Sequence, residues 1–143
     1  KTTMRLEVSR FCVYETARQG GVVMIMMRAF AAAALYTKAE YIFGLTSAGV
    51  NLNQDNIRNW IRENGHEATD FKIQKLVPAV KNQGTERKIP PLMKAYISFG
   101  GKIFLEPAYD SVFECFDYMT LMRTKDIDRR IISRLGRTHE AAP

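Results

Sequence analysis

Arg5-Leu6-Glu7-Val8-Ser9-Arg10-Phe11-Cys12-Val13, then Arg18-Gln19-Gly20-Gly21, then the apolar run Val22 to Tyr36, then Tyr41-Ile42-Phe43-Gly44-Leu45-Thr46: the order of these segments decides the fold. The first alternates polar and apolar residues with a period of two, as a half-buried strand does, and its polar face carries Glu7 and Ser9. The alternation shifts register near Arg10 and Phe11, which predicts a bulge that re-aims the side chains after it. The glycine pair gives a turn that opens directly onto a helix. That helix contains Arg28 and is shorter than the roughly 20 apolar residues a membrane span needs. It reads instead as a helix buried on nearly all sides, which calls for a sheet against it. Tyr41 to Thr46, aromatic and β-branched, supplies the next strand. Strand, helix and strand in this order predict a βαβ unit with a parallel sheet.

Outward from this unit the elements are shorter. Asn53 or Asp55 caps a helix over Ile57 to Glu63, whose Ile57, Trp60 and Ile61 form one apolar face and which Gly65 closes. Phe71 to Val80 reads as a strand, and the polar stretch Lys81 to Lys88 as a mobile loop. Pro90-Pro91 starts a helix through Tyr96 to Phe99, stopped by Gly100-Gly101. Val112 to Met122 reads as a late strand, and Asp126 to Leu135 as a closing helix with Asp126 as its cap. There is no internal repeat or low-complexity tract. The whole, residues 1–143, reads as one α/β domain. Because the chain begins almost inside a strand, elements preceding it are expected outside this sequence.

The 143 residues are 46% apolar and 25% charged, the composition of a folded globular domain rather than a disordered chain. Its two cysteines, Cys12 and Cys115, are far apart, so neither a disulfide framework nor a zinc site is expected, and a cytoplasmic location fits. His66 and His139 lack ligand partners at metal spacing, so no metal is assigned. The formal charge of +6 suits an acidic protein, an anionic membrane surface or a nucleic acid. The basic residues are spread out rather than gathered in a run, so nucleic acid is not the expected partner.

The residues then resemble a family. Glu7-Val8-Ser9-Arg10-Phe11-Cys12-Val13, with Thr46-Ser47-Ala48-Gly49-Val50, resembles the autoinducer synthases that make acyl-homoserine lactones. Ile89-Pro90-Pro91-Leu92-Met93-Lys94-Ala95-Tyr96, Gly100 to Ile103, and Glu106-Pro107-Ala108-Tyr109-Asp110 with Phe113 and Asp117 resemble ornithine-lipid and N-acyl amino acid synthases. Both are similar to the GNAT superfamily of N-acyltransferases. The resemblance implies a GNAT-like mixed sheet flanked by helices, of which this chain is the C-terminal two-thirds. It also implies a central strand that splays from its neighbour at the bulge. An acyl-pantetheine arm lies in that opening and pairs with backbone groups as an extra strand would.

The implied reaction moves a long fatty acyl chain from a carrier thioester to the amine of an amino acid or an aminolipid precursor, with no bound cofactor. Such transfer needs a proton acceptor for the amine, donors for the oxyanion and a proton for the departing thiolate. Glu7 is the candidate base; its alternative is a structural pair with Arg10, which itself resembles the arginine of the autoinducer-synthase charged cluster. Backbone amides around Phe11, Cys12 and Val13 are the expected oxyanion donors. The phosphate of the arm would meet Arg18, Gly20, Gly21 and Val22 at the mouth of the helix, where free N–H groups and the dipole favour an anion. Arg18 and Gly21 match the family pattern there. Val23 stands where a second small residue is expected, which favours acyl carrier protein over coenzyme A as donor. The basic surface suits an acidic carrier.

Thr46 and Ser47 close a parallel strand, where α/β sheets bind ligands, and are candidates for holding the acceptor, or else for a turn or cap. Lys94, Asp110 and Asp117 are candidate partner or headgroup contacts, with solvation and turn capping as their alternatives. Methionines 24, 26, 27, 93, 119 and 122 suit either an acyl-chain lining or ordinary core packing. Peripheral membrane contact is compatible with such a substrate. Two other functions stay open: an acyl-homoserine lactone synthase using S-adenosylmethionine, and a non-catalytic basic binding module.

Overall fold

The computed structural model describes residues 3–9, 12–17, 21–72 and 84–127. Its elements are β1 (Arg5–Val8), a single 3-10 turn (Glu15–Ala17), α1 (Val22–Thr37), β2 (Tyr41–Gly49), α2 (Gln54–Glu63), α3 (Pro91–Ser98), β3 (Lys102–Ile103), β4 (Ala108–Asp110), β5 (Cys115–Arg123) and a closing 3-10 turn (Thr124–Asp126). They form a mixed five-stranded sheet in the order β1-β2-β5-β3, with β4 also on β5.

The βαβ unit is present: β1 and β2 run parallel, Arg5 opposite Tyr41 through Val8 opposite Gly44, with α1 between them in sequence. The parallel pairing of this unit does not extend through the sheet, which is mixed. β5 pairs with β2 in the antiparallel sense along its full length, and β3 and β4 are antiparallel to β5. The chain after α2 returns as hairpin-like strands instead of repeating the crossover, and antiparallel strands accept shorter connections.

β2 shows how alternation divides the sheet. Ile42, Gly44, Thr46 and Ala48 are buried on one face; Tyr41 and Phe43 are half-buried on the other, where Leu45 and Ser47 are exposed. The helices pack on the first face. Met27, Ala31 and Ala34 of α1 meet Ile42, Met122, Tyr96 and Phe99 there. Ile57 and Ile61 of α2 meet Met93, Ala48, Phe116 and Tyr118. Each isoleucine, methionine or phenylalanine among them, fully withdrawn from water, contributes about 1.5–3 kcal/mol before entropic costs. Among the described residues the opposite face is covered only at one end, where Ala68 and Phe104 pack on Leu121, Tyr41, Phe43 and Met119.

Several sequence expectations change in detail. α1 is not buried on nearly all sides: Met24, Ile25 and Tyr36 are exposed, and its contact stripe is the small-residue side that lets it approach the sheet closely. α2 begins at Gln54. Its cap is Asn53, whose side-chain oxygen accepts from the Asn56 amide at 2.8 Å, while Asp55 pairs with Arg58. β5 starts at Cys115 rather than Val112. Asp110 accepts from the amides of Val112 (2.8 Å) and Phe113 (3.0 Å), tying these apolar residues into the β4–β5 turn. Phe71 and Lys72 lie in no strand. The rest of the expected Phe71–Val80 strand, the bulge at Arg10 and Phe11, residues 81–83 of the Lys81–Lys88 loop and the Asp126–Leu135 helix beyond Ile127 lie outside the described residues. The loop's later part is held: Glu86 exchanges backbone hydrogen bonds with Asn51 and Asn53.

Candidate functional site

β1 stops at Val8, opposite Gly44, but β2 continues to Gly49. Among the described residues nothing pairs with Leu45–Gly49 on the side β1 has left, so alternate N–H and C=O groups of that stretch face an opening. A groove of about 980 Å³ lies there. It passes from the open face of the sheet, at Phe43, Leu45 and Met119, through to Leu92 and Tyr96 of α3.

Gly44 sits at the parting point. A Cβ placed on it would stand 2.5 Å from the Val8 carbonyl oxygen and 3.4 Å from the Tyr96 hydroxyl, so no larger residue fits without moving the strand ends. Tyr96 is only 2% exposed, yet among the described residues its hydroxyl has no hydrogen-bond partner. Burial pushes its pKa above the usual tyrosine value, so the group is a neutral donor at any ordinary pH. In the sequence Tyr96 reads only as a residue of the helix that Pro90-Pro91 starts. Its one legible signal is the four-residue spacing from Leu92, which puts both on one helix face.

Three carboxylates line the same groove: Glu7, Asp110 and Asp117. Glu7 is exposed on the open face of β1, opposite Phe43. Asp117 accepts a hydrogen bond from the Ser47 hydroxyl at 2.6 Å, across the β2–β5 register, and a weaker one from the Cys115 thiol at 3.6 Å. Burial first, and then Asp117, raises the Cys115 pKa, which keeps that thiol protonated and a poor nucleophile. Among the described residues no lysine, arginine or histidine lines the groove.

The expected site residues divide accordingly. Glu7, Cys12, Ser47, Asp110 and Asp117 come together on the groove. Thr46 does not: it is fully buried on the helix-covered face, its hydroxyl shared with that of Thr120 at 3.2 Å, because neighbours on a strand point to opposite faces. Nor do Thr46 and Ser47 end their strand, which runs on to Gly49. Lys94 is exposed beside a separate depression with Arg87, Lys88 and Ile89. Val13 is half-buried outside the groove lining. Gly21 caps α1 in the left-handed conformation (φ 71°) that only glycine adopts readily, and Val22 opens the helix behind it. Arg10, Phe11, Arg18 and Gly20 lie outside the described residues.

His66 stands apart from the groove, its ring 5.7 Å from that of Trp60. Among the described residues no group of three His, Cys, Asp or Glu side chains is placed to hold a metal ion, and no helix is long and apolar enough to cross a membrane. Compared with known proteins, the chain matches no family model, no curated protein and no solved structure.

The arrangement is chemically suited to a linear ligand. Its strand edge offers main-chain hydrogen bonds, its apolar walls accept a hydrocarbon, and the Tyr96 phenol and the Glu7 carboxylate line it from opposite faces of the sheet.

Proposed function

We propose that this chain is the catalytic part of a GNAT-like N-acyltransferase that moves a fatty acyl group from a phosphopantetheine thioester to an amine. The observation that carries this reading is the separation of β1 from β2 after Val8 and Gly44, with a groove of about 980 Å³ in the gap. An acyl-pantetheine arm lies along Leu45–Gly49 as an added strand, bound through backbone groups, with its acyl chain against Leu45, Met119 and Leu92. Acyl carrier protein is the preferred donor and coenzyme A the alternative.

The amine attacks the thioester carbonyl carbon directly. Glu7 accepts the amine's proton, itself or through water, so that the lone pair is free to form the new C–N bond. Backbone amides at the strand edge stabilise the oxyanion. As the C–S bond breaks, the Tyr96 hydroxyl supplies its unpaired hydrogen bond, and then a proton, to the departing sulfur. A covalent acyl-enzyme is not needed: Cys115 is buried with a raised pKa, and among the described residues no histidine lies beside Cys12 on the groove.

The test is incubation of the protein with long-chain acyl thioesters of acyl carrier protein and of coenzyme A, following thiol release and N-acyl products by mass spectrometry. Glu7→Gln is expected to be at least about tenfold slower, a loss of ~1.4 kcal/mol in transition-state stabilisation. Absence of acceptor-dependent thiol release from both donors would reject the function. Equal rates for Glu7→Gln and the native chain would remove Glu7 from it.

A further inference from the structure

The turn between β4 and β5 places two large apolar residues almost entirely in water: Val112 is 82% and Phe113 79% exposed. The pair is held there. The Asp110 carboxylate accepts from both of their amides, and Glu114 behind them takes the left-handed conformation (φ 49°), so they occupy the tip of a fixed turn. Cys115, the first residue after the turn, lies opposite Gly49, and Val50 follows Gly49 with 44% of its surface exposed. Phe113 also lines the groove together with the half-exposed Leu45, so apolar surface leads from the tip into the groove.

The same end of the sheet carries cations on its helix side. Leu52, whose amide donates to the Gly49 carbonyl at 3.0 Å, shares a depression with Arg87, Lys88 and Lys94. Lys88 pairs with Glu86, but Arg87 and Lys94 are exposed with no ion-pair partner among the described residues. The nearby carboxylates oppose them only in part: Asp110 is turned to its own turn amides and Asp117 to Ser47 on the open face, which leaves Glu114.

Size decides which kind of partner fits. A stable protein interface takes about 800 Å² from each side, more than a two-residue tip and its few apolar neighbours present. A bilayer needs no matching surface: it takes apolar side chains into its acyl region and draws cations to its headgroups. From this geometry we infer that the end of the sheet bearing the β4–β5 turn docks on an anionic bilayer, with Val112 and Phe113 in the acyl region and Arg87 and Lys94 at the lipid phosphates. The groove then opens at the lipid surface, and a lipid-borne amine enters it past Phe113 without crossing water. That consequence for the acceptor rests on the acyl-transfer reading; the docking itself does not.

The test is cosedimentation of the protein with vesicles of phosphatidylcholine, alone or with phosphatidylglycerol. Binding to the mixed vesicles is expected, and to phosphatidylcholine alone about tenfold weaker. Phe113→Ser is expected to weaken binding at least about tenfold and Val112→Ser about fivefold. Both changes keep the amides that Asp110 accepts, and urea melts matching the native chain establish that they fold. Arg87→Gln combined with Lys94→Gln is expected to lose about tenfold on mixed vesicles and little on phosphatidylcholine alone. Phe113→Trp adds a second tryptophan to Trp60, and its fluorescence is expected to be quenched by acyl-brominated lipid, whereas that of the native chain is not. No binding to mixed vesicles, binding indifferent to both tip changes, or an unquenched Phe113→Trp overturns the inference. So does binding lost instead in Ile25→Ser with Tyr36→Ser, which moves the contact to the exposed side of α1. Self-association of the native chain that Phe113→Ser abolishes, without vesicle binding, makes the tip a protein interface and overturns it too. Acyl thioesters are then offered with phosphatidylethanolamine in the vesicles or with free amino acids. Vesicle binding without thiol release upholds the docking and rejects acyl transfer; thiol release by a chain that binds no vesicles does the reverse.

Discussion

Thr46 and Ser47 are adjacent hydroxyl residues on one strand, and they belong to different worlds. Thr46 is sealed between sheet and helices, bonded to Thr120; Ser47 is exposed and bonded to Asp117. The same division runs through the two faces of the upper sheet. On the covered face buried polar groups near them are paired: Tyr118 donates to Gln54 at 2.7 Å, and Gln54 donates to the Leu52 carbonyl at 3.0 Å. On the open face Leu45 is 53% and Phe113 79% exposed beside fixed carboxylates. Among the described residues one face uses burial to hold the fold, and the other leaves apolar surface and charge uncovered. Uncovered surface of that kind is what binding requires.

The sharpest way to break this contrast is a pair of truncations. Ile57→Ala, at a position with no solvent exposure, is expected to cost about 2–5 kcal/mol through lost burial and a residual cavity. Leu45→Ala, half-exposed on the other face, is expected to stay within about 0.5 kcal/mol while slowing acyl transfer. Urea denaturation of both variants measures the difference, and equal costs would show that the open face is core after all.

Two tyrosines sharpen it further. Tyr118→Phe strands the buried Gln54 oxygen and is expected to destabilise by about 1–3 kcal/mol with no direct effect on chemistry. Tyr96→Phe removes a hydroxyl that has no partner among the described residues, so stability is expected to hold within about 0.5 kcal/mol. Its acceptor-dependent thiol release is expected to fall about tenfold. A Tyr96→Phe protein that is unstable, or fully active, would place that hydroxyl in the architecture instead of the reaction.

The neighbouring hydroxyls give a smaller effect. Thr46→Val leaves Thr120 without its bond and is expected to cost about 1 kcal/mol, whereas the double change with Thr120→Val is expected to recover most of it, since neither partner is then left unsatisfied. Ser47→Ala is expected to be neutral in stability. Urea melts of the double-variant cycle and of Ser47→Ala check both.

Much of this division was legible before any coordinates. The alternation from Arg5 and the aromatic and β-branched run from Tyr41, with the glycine turn and apolar helix between, predict a parallel pair because a strand–helix–strand crossover joins parallel strands. Glu7, Ser47, Asp110 and Asp117 were each visible as polar residues in strand or turn contexts. Their convergence was not, since Ser47 and Asp117 are 70 residues apart and meet only through the β2–β5 register. Apolar character also misled at Val112 and Phe113, where the Asp110 carboxylate binds the amides and outweighs strand propensity. Tyr96 was illegible for another reason: a tyrosine on an apolar helix face looks alike in sequence whether its hydroxyl finds a partner or an opening.

The smallest expected effect lies where the covered and open halves join, in the segment that leaves α2 and crosses to Ala68. His66 is half-buried there, and burial first, then the nearby Lys102, lowers its pKa below the usual histidine value. The unfolded chain, with an ordinary histidine near 6.5, therefore binds this proton more readily than the folded one. Stability contributed by the neutral ring is present above that unfolded value, is lost as pH falls from about 6.5 towards the lowered folded pKa, and changes no further below it. His66→Gln is expected to lose less stability than the native chain between pH 7.5 and 5.5 in paired urea melts, the carboxylates being common to both. If both proteins lose the same amount, His66 is solvated in the folded state, and the junction between the two faces is looser than its backbone bonds to Ile61 and Ile103 require.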